Sequence, residues 1–419
     1  MTTGADLMAK FNATRSGASG APELTVDFTD PAVNKDPYPV LRLIRELGPV
    51  AYNPLLGLWM LTGYRPQAMV LSDYERFGFD QARAAELFGG LTMEALDPPE
   101  HTGVRAIWSG GLERHELERG RSAMIRRIIV ERMETFVERL RAGEVVDAMP
   151  GFTRAIPALV IGEFLGVPAS DLEQFTEWSY AIGGILEGQT TPGNAGEQKR
   201  VSGVQAVEAM NAYVASALEE RRRQEPGDDF ISVLAHSHAA SKMPEEDQYA
   251  NLTQFLFAGH ETTAVLMATA LIVLAQHPDQ RRAIVENRAL VPRALEEIHR
   301  WQSIVCINLR FVRDRDGAEL EGVAVPGGSE ILCLAHAANR DPARWENPDE
   351  FNILRPQRAH IGYGFGPHVC VGINLARLET QIWLNELLDR VPDFHLATDE
   401  IDYGTNFIVR APKAVPISL

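Results

Sequence analysis

The stretch Tyr363-Gly364-Phe365-Gly366-Pro367-His368-Val369-Cys370-Val371-Gly372 decides how the chain reads. Two glycines precede Cys370 within seven residues and a third follows it two residues on. Glycine permits tight turns and lets another group come close to the backbone. Beyond Gly372 the apolar positions Ile373, Ala376, Leu378 and Ile382 stand among good helix formers. The spacing therefore predicts a sulfur in a loop of small residues at a helix N-terminus, where the dipole and free N–H groups favour thiolate over thiol. Such a sulfur suits a soft or redox-active metal. Taken alone, the loop is better read as an inert, buried cysteine in a glycine-rich turn.

The remainder of the chain narrows the reading. It has 419 residues, 45% of them hydrophobic, enough for a large core and compatible with one large domain. Three cysteines (306, 333 and 370) are too few for a disulfide framework, which points to a reducing cytoplasm. Cys306 and Cys333 lie in apolar runs and read as core. No apolar run reaches the length of a membrane span, and residues 1–24 read as a loose, disordered tail without the apolar centre of a signal peptide. A net charge of −17 argues against nucleic acid as a partner. Against this background residues 105–132 hold seven arginines and four glutamates, a balance of +3 that either steers an acidic partner or forms a solvated helix face.

Periodicity predicts a mainly α fold with minor β-sheets. Helices are expected at 122–141, 151–166, 202–223, 245–277 and 290–302, with a short one opening at Asp36-Pro37-Tyr38-Pro39. Strands are expected at 50–53 and 58–61 and within 309–335, where Asp316-Gly317 and Pro326-Gly327-Gly328 mark turns. Residues 190–198, with Pro192, Gly193 and Gly196, read as a mobile loop.

Four further groups carry unusual chemistry. Ala258-Gly259-His260-Glu261-Thr262-Thr263 interrupts an apolar helix with a glycine, an acid and two hydroxyls. It reads either as a ligand groove with a proton path or as a helix whose threonines bond their own carbonyls. Glu297 and Arg300 share a helix face at i, i+3, and Arg355 is a candidate second partner for the carboxylate. His101 and Arg105 stand one turn apart, and with Arg310 and His368 they form a set suited to two carboxylates of a ligand.

In order and separation these segments resemble a cytochrome P-450 of the soluble bacterial type. The likeness rests on Glu261-Thr262-Thr263, Glu297-x-x-Arg300, Arg355, His360 and the Gly-x-His-x-Cys-x-Gly run of residues 366–372, and spans nearly the whole chain from Asp36 onward. The resemblance implies one large domain over residues 25–419 and haem b as cofactor, with Cys370 as the thiolate ligand of iron. It implies propionate contacts from His101, Arg105, Arg310 and His368, and a buried brace of Glu297, Arg300 and Arg355. Gly259, Glu261 and Thr262 would supply the oxygen groove and proton relay. The implied activity is monooxygenation of a small, mainly apolar organic substrate by hydroxylation or oxidative dealkylation. O₂ and electrons from a separate ferredoxin and its reductase would be needed, in a cytoplasmic monomer that engages neither membrane nor nucleic acid.

By the same analogy Leu91, Gln254, Phe255, Val305, Asn308 and Phe407 line the substrate pocket, with Asn406 a further polar candidate. No lysine or arginine stands out in the central pocket segments, which disfavours a carboxylate anchor, Arg310 and Arg410 aside. A haem-thiolate peroxygenase is the alternative enzyme reading, and a haem sensor without turnover is the alternative outside enzymes. The chain departs from the usual pattern at Tyr363, where phenylalanine is common, at Gly103, and at Ile304.

Overall fold

The computed structural model describes residues 4–15, 20–168, 170–191 and 193–419. The helices that matter here are α1 (Gly4–Lys10), α2 (Tyr38–Leu47), α3 (Glu100–Ser109), α4 (Ser122–Arg141), α5 (Ala155–Leu165), α6 (Leu172–Thr190), α7 (Asn194–Arg222), α8 (Glu245–Gln276), α9 (Val291–Trp301) and α10 (Ile373–Arg390). In α4 the apolar residues Ile125, Ile128, Ile129, Met133, Phe136, Val137 and Leu140 recur at helical spacing, and all are buried. Arginines and glutamates fill the opposite face.

Helix α8 is the axis of the helical part. From Ala264 to Leu274 its residues are buried all round, as they must be where helices surround a helix on every side. It packs against α5, α6, α7, α9 and α10. By length and composition alone it is apolar enough to cross a membrane, contrary to the expectation that no such segment exists, but 72% of its most apolar window is buried inside the protein. It is the core helix of a helical layer.

Among the described residues ten strands complete the fold: β1 (Val50–Asn53), β2 (Leu58–Leu61), β3 (Phe77–Gly78), β4 (Val146–Asp147), β5 (Ile307–Val312), β6 (Ala318–Leu320), β7 (Val323–Val325), β8 (Glu330–Leu334), β9 (His395–Leu396) and β10 (Pro416–Ser418). The main sheet has the order β1-β2-β8-β5-β3, with only β2 and β8 parallel. The register sets Leu61 opposite Cys333 and Asn308 opposite Cys333 on the other side. Cys306 and Cys333 are both buried, as expected of core residues.

Helix boundaries agree with the periodicity for α4, α8 and α9. Two regions differ. The expected loop at 190–198 shrinks, because α7 already starts at Asn194. Gly196 lies inside that helix, buried, where a Cβ would collide with the Thr191 carbonyl. Its glycine serves close packing of α6 on α7, which a single sequence does not distinguish from a turn. Pro192 lies outside the described residues.

Residues 4–15 and 20–24 also differ from the loose tail expected over residues 1–24, of which 1–3 and 16–19 lie outside the described residues. Phe11 and Leu24 are buried with Val26, Val33 and Leu41 against the sheet, and Leu7 and Met8 pack on the same cluster. Leu24 N–H donates to Tyr52 O at 3.0 Å and Tyr52 N–H to Pro22 O at 2.8 Å, so the segment runs along β1. The apolar residues that anchor it are widely spaced and leave no periodic signal. Phe11→Ala should cost about 3 kcal/mol, the usual penalty for emptying a buried phenyl site. Urea denaturation reads it, and a loss below about 0.5 kcal/mol, typical of a surface change, would mean that the segment adds no stability.

Candidate active site

The cysteine loop takes its shape from two glycines in the left-handed region, Gly364 at φ +75° and Gly366 at φ +72°. A Cβ on Gly366 would stand 2.5 Å from Leu71 O, so only glycine fits there. Cys370 N–H donates to Tyr363 O at 2.9 Å and closes the loop. Three residues later α10 begins. Cys370 is enclosed by protein, yet it carries accessible surface and is not in a disulfide. Its sulfur therefore faces an interior cleft. Burial pushes its thiol up, against the pull of the Gly372 N–H and Arg105. The helix-terminal effect expected from the sequence is thus outweighed by desolvation, and a bound metal is what would hold the sulfur as thiolate.

Behind the loop lies a buried ion-pair network. Glu297 accepts from Arg300 Nε at 2.7 Å and Nη2 at 2.8 Å, from Arg355 Nε at 3.1 Å, and from Asn352 N–H at 3.0 Å. Arg300 Nη1 also donates to Asn339 O at 2.7 Å and Pro348 O at 2.9 Å. Asn339 in turn accepts from Ile361 N–H through Oδ1 at 2.8 Å, two residues before Tyr363. Helix α9 is thereby tied to the start of the cysteine loop. Arg355, a single arginine in a turn-rich segment, is drawn to Glu297 as expected.

Tyr363 packs edge-on against His299, with ring centroids 4.4 Å apart, and Arg377 lies 5.2 Å from its ring centre. Burial pushes its phenol up, and among the described residues its hydroxyl has no hydrogen-bond partner. Burial holds His299 neutral, at about 3, and His360 stands 3.4 Å from Glu296.

A second cluster stands beside the sulfur. The rings of His101 and His368 are 4.3 Å apart, and the Arg310 guanidinium lies 3.7 Å from the centre of the Phe79 ring, which itself contacts His368. Arg105 is close enough to Cys370 to perturb it. The Nε2 atoms of His101 and His368 are buried without a hydrogen-bond partner, and Asp97 Oδ1 is 3.7 Å from His368, too far to bond. Burial and neighbouring arginines push both imidazoles below their usual range, His368 to about 3. Among the described residues neither Arg105 nor Arg310 has an ion pair. Two unpaired guanidiniums and two orphaned imidazole nitrogens around a cleft-facing sulfur fit haem, a flat group with two carboxylates and an iron that takes thiolate.

The mid-section of α8 is accessible. Ala258 is exposed and Thr262 partly so, within a helix that is otherwise mostly buried. Thr262 Oγ1 donates to Ala258 O at 2.9 Å. Gly259 differs from its expected place in the groove: a Cβ there would meet Ile161 of α5 at 3.0 Å, so its missing side chain lets α5 approach. The accessible small residue is Ala258, which sequence alone did not separate from its neighbour. Glu261 accepts from Arg154 Nη2 at 3.3 Å, while its Oε2 is buried and unpaired. Arg154 follows a π-helical turn, Met149–Thr153, and lies 4.9 Å from the centre of the Tyr180 ring, itself partly exposed. Arg154 escaped the sequence reading because its partner is 107 residues away.

The expected pocket residues divide. Leu91, Val305 and Asn308 keep partial exposure. Gln254 is buried and donates to Glu94 at 2.6 Å. Phe255 turns into the core against Trp108 and Phe230. Phe407 stacks on Phe28 at 5.7 Å, in the front cluster. Asn406 accepts from the Ile408 and Val409 N–H groups and so serves the backbone. Arg410 donates to Gln302, Asn34 O and Lys35 O, away from the α8 face.

Glu297→Gln should destabilise the fold by about 3–5 kcal/mol, because it leaves two buried guanidiniums without their carboxylate. Equilibrium denaturation reads this, and a cost under about 1 kcal/mol, the scale of an exposed pair, would refute the brace.

The family profile described as Cytochrome P450 matches residues 197–400. The chain is 30% identical over 394 residues to the biotin biosynthesis cytochrome P450 of Bacillus subtilis (strain 168), covering 92% of this chain and 96% of that one. It is 31% identical over 391 residues to the mycinamicin IV hydroxylase/epoxidase of Micromonospora griseorubida, covering 89% and 93%. The solved structure of the Bacillus subtilis 168 bacillaene polyketide synthase cytochrome P450 PksS superposes with a TM-score of 0.84 at 28% identity, over 94% of this chain and all of that one. The chain belongs to the cytochrome P450 family, whose members hold haem iron through a cysteine thiolate, and it is a P450 monooxygenase.

Proposed function

We propose that Cys370 is the thiolate ligand of haem b in an O₂-dependent monooxygenase acting on a small, mainly apolar organic molecule. The observation that carries the reading is the cleft shared by the Cys370 sulfur, the unpaired cations Arg105 and Arg310, and the orphaned nitrogens of His101 and His368. These four residues would take the two propionates, and Glu297, Arg300 and Arg355 keep the loop that presents the sulfur in shape. Haem iron, when bound, supplies the activation of O₂ with two electrons and the insertion of one oxygen atom into a substrate C–H bond, with release of water.

On the α8 side the protein's task is proton delivery. Thr262 carries a hydroxyl on the cleft wall, and Glu261 is an acid one residue away. Arg154 holds one carboxylate oxygen and leaves the other unpaired. This acid–alcohol pair supports the O₂-dependent reading over the peroxygenase, since peroxide brings its own protons. Arg154 and the partly exposed Tyr180 extend the pair toward α6. Oxidation of a C–H bond by hydroxylation or dealkylation both fit.

Electrons are proposed to come from a separate ferredoxin and its reductase, to a monomeric cytoplasmic enzyme. What supports a docking face at residues 105–132 is the packing of that stretch on α10, the helix leading from Cys370, including Asn374 Nδ2 on Leu112 O at 3.1 Å. Arg114, Arg119, Arg121, Arg126 and Arg127 each have an acidic partner already, which lowers the free charge of the face.

Cys370→Ser should abolish the carbon monoxide band characteristic of a thiolate-ligated ferrous haem; survival of that band in the variant would overturn the ligand assignment. Thr262→Ala and Glu261→Gln should each slow O₂-driven product formation by about a hundredfold, the scale of lost general acid catalysis, with peroxide-driven turnover much less affected. Equal losses by both routes would remove the relay. Charge-neutralising changes at Arg114, Arg121 and Arg132 together should slow reduction by ferredoxin and flatten its salt dependence. An unchanged rate and salt response, with haem content intact, would move the docking face elsewhere.

A further inference from the structure

A cavity of about 250 Å³ lies between α9, α10 and the extended segment 355–360, and it shares no residue with the cluster around the Cys370 sulfur. Five arginines and two glutamates line it, a balance of +3. Helical spacing puts Arg293, Glu296, Glu297 and Arg300 on one face of α9. Both carboxylates are taken. Glu297 serves Arg300 and Arg355, and Glu296 accepts from Arg377 Nε at 2.9 Å and Nη2 at 2.7 Å. Among the described residues Arg293 and Arg358 have no ion pair. Both are nonetheless held in place: Arg293 Nη2 donates to Leu354 O at 3.0 Å and Arg355 O at 3.2 Å, and Arg358 Nη1 donates to Arg344 O at 2.8 Å.

The wall is also short of acceptors. Gln357, Arg358 and Ala359 are exposed, and among the described residues their N–H groups have no protein acceptor. Tyr64 Oη and Arg344 Nη2 fix the Ala359 carbonyl at 2.9 and 3.2 Å, so the segment keeps a defined path without secondary structure. Two other residues of the wall, Trp345 and Arg293, each keep a buried side-chain N–H, at Nε1 and Nε, with no acceptor. A volume of about 250 Å³ falls just below the roughly 300–1,000 Å³ of pockets for drug-sized ligands and suits a compact ion. Fixed guanidiniums without carboxylates, set among free backbone N–H groups in a concave site, match the oxygens of phosphate.

We propose that this cavity binds a diphosphate group, free or at the end of a small organic molecule, through Arg293 and Arg358. The bound anion ties α9 to the segment that leads into the cysteine loop. Arg377, also on the wall, stands 5.2 Å from the centre of the Tyr363 ring, so occupancy is felt at the first residue of that loop. The site is separate from the haem-thiolate reading and does not depend on it.

The test is calorimetry with sodium diphosphate on the haem-loaded protein at constant ionic strength. The expected result is one site with a Kd of about 0.1 mM and a raised unfolding temperature. Arg293→Gln and Arg358→Gln should each weaken binding about tenfold, while Arg315→Gln, at an exposed arginine between β5 and β6, leaves it within about twofold. Arg358 is exposed, so its replacement folds even if Arg293→Gln does not. Adenosine 5′-diphosphate tells the two sources apart: binding at least as tight as free diphosphate assigns an organic carrier, and weaker binding assigns the free ion. Three outcomes overturn the site: a Kd above about 5 mM, a loss no larger for Arg358→Gln than for Arg315→Gln, and tighter binding of tetraglutamate than of diphosphate, which marks an acidic protein partner instead.

Discussion

The carboxylate of Glu297 carries the architecture around the sulfur. It is almost fully buried, and it serves two guanidiniums and a backbone N–H at once. A buried charge is tolerable only when its lone pairs are taken, and here each oxygen has its donor. The second function of the network is mechanical. Arg300 reaches the carbonyls of Asn339, Pro348 and Glu350, and Arg355 reaches those of Asn347 and Glu350. An irregular segment with few backbone bonds of its own is thereby given fixed partners. Asn339 then passes the constraint to Ile361, where the cysteine loop begins. The loop's glycines allow its shape, and the ion-pair network selects it.

That division explains how much of the molecule was legible beforehand. Repetitive features were readable: the helical spacing of Ile125 to Leu140 in α4, the strands around Tyr52 and Met60, and the glycine-rich loop. Groups whose residue types are chemically distinctive were readable too, since Glu297, Arg300 and Arg355 announce themselves by charge in apolar or turn-rich surroundings. Directions were harder. Phe255 and Gln254 are sequence neighbours, yet one faces the aromatic core at Trp108 and the other reaches the Glu94 loop. One residue of helix rotates a side chain by about 100°, so a shift of a single position exchanges cleft for core. Long-range partners other than Arg355 were not readable: Arg154 meets Glu261, and Phe407 meets Phe28, only because the fold brings distant segments together.

Gly259 and Gly196 share a lesson about glycine. From the sequence alone Gly259 reads as part of a ligand groove and Gly196 as part of a mobile loop. Both instead permit close approach, Gly259 to Ile161 and Gly196 to the Thr191 carbonyl. The chemistry beside Gly259 depends on that packing, since α5 sets the position of the turn that carries Glu261 and Thr262. It also leaves Arg154, immediately before α5, within reach of the acid.

The N-terminal segment beside β1 has a consequence for how copies of this chain meet one another. β1 is the edge strand of the main sheet, and an edge strand displays unpaired N–H and C=O groups to any other strand that passes. Pro22 and Leu24 occupy the Tyr52 donor and acceptor from the chain's own side. Pro22 has no N–H to offer outward. A stretch that would be set aside as a tail therefore acts as a built-in guard against edge-to-edge aggregation at high concentration.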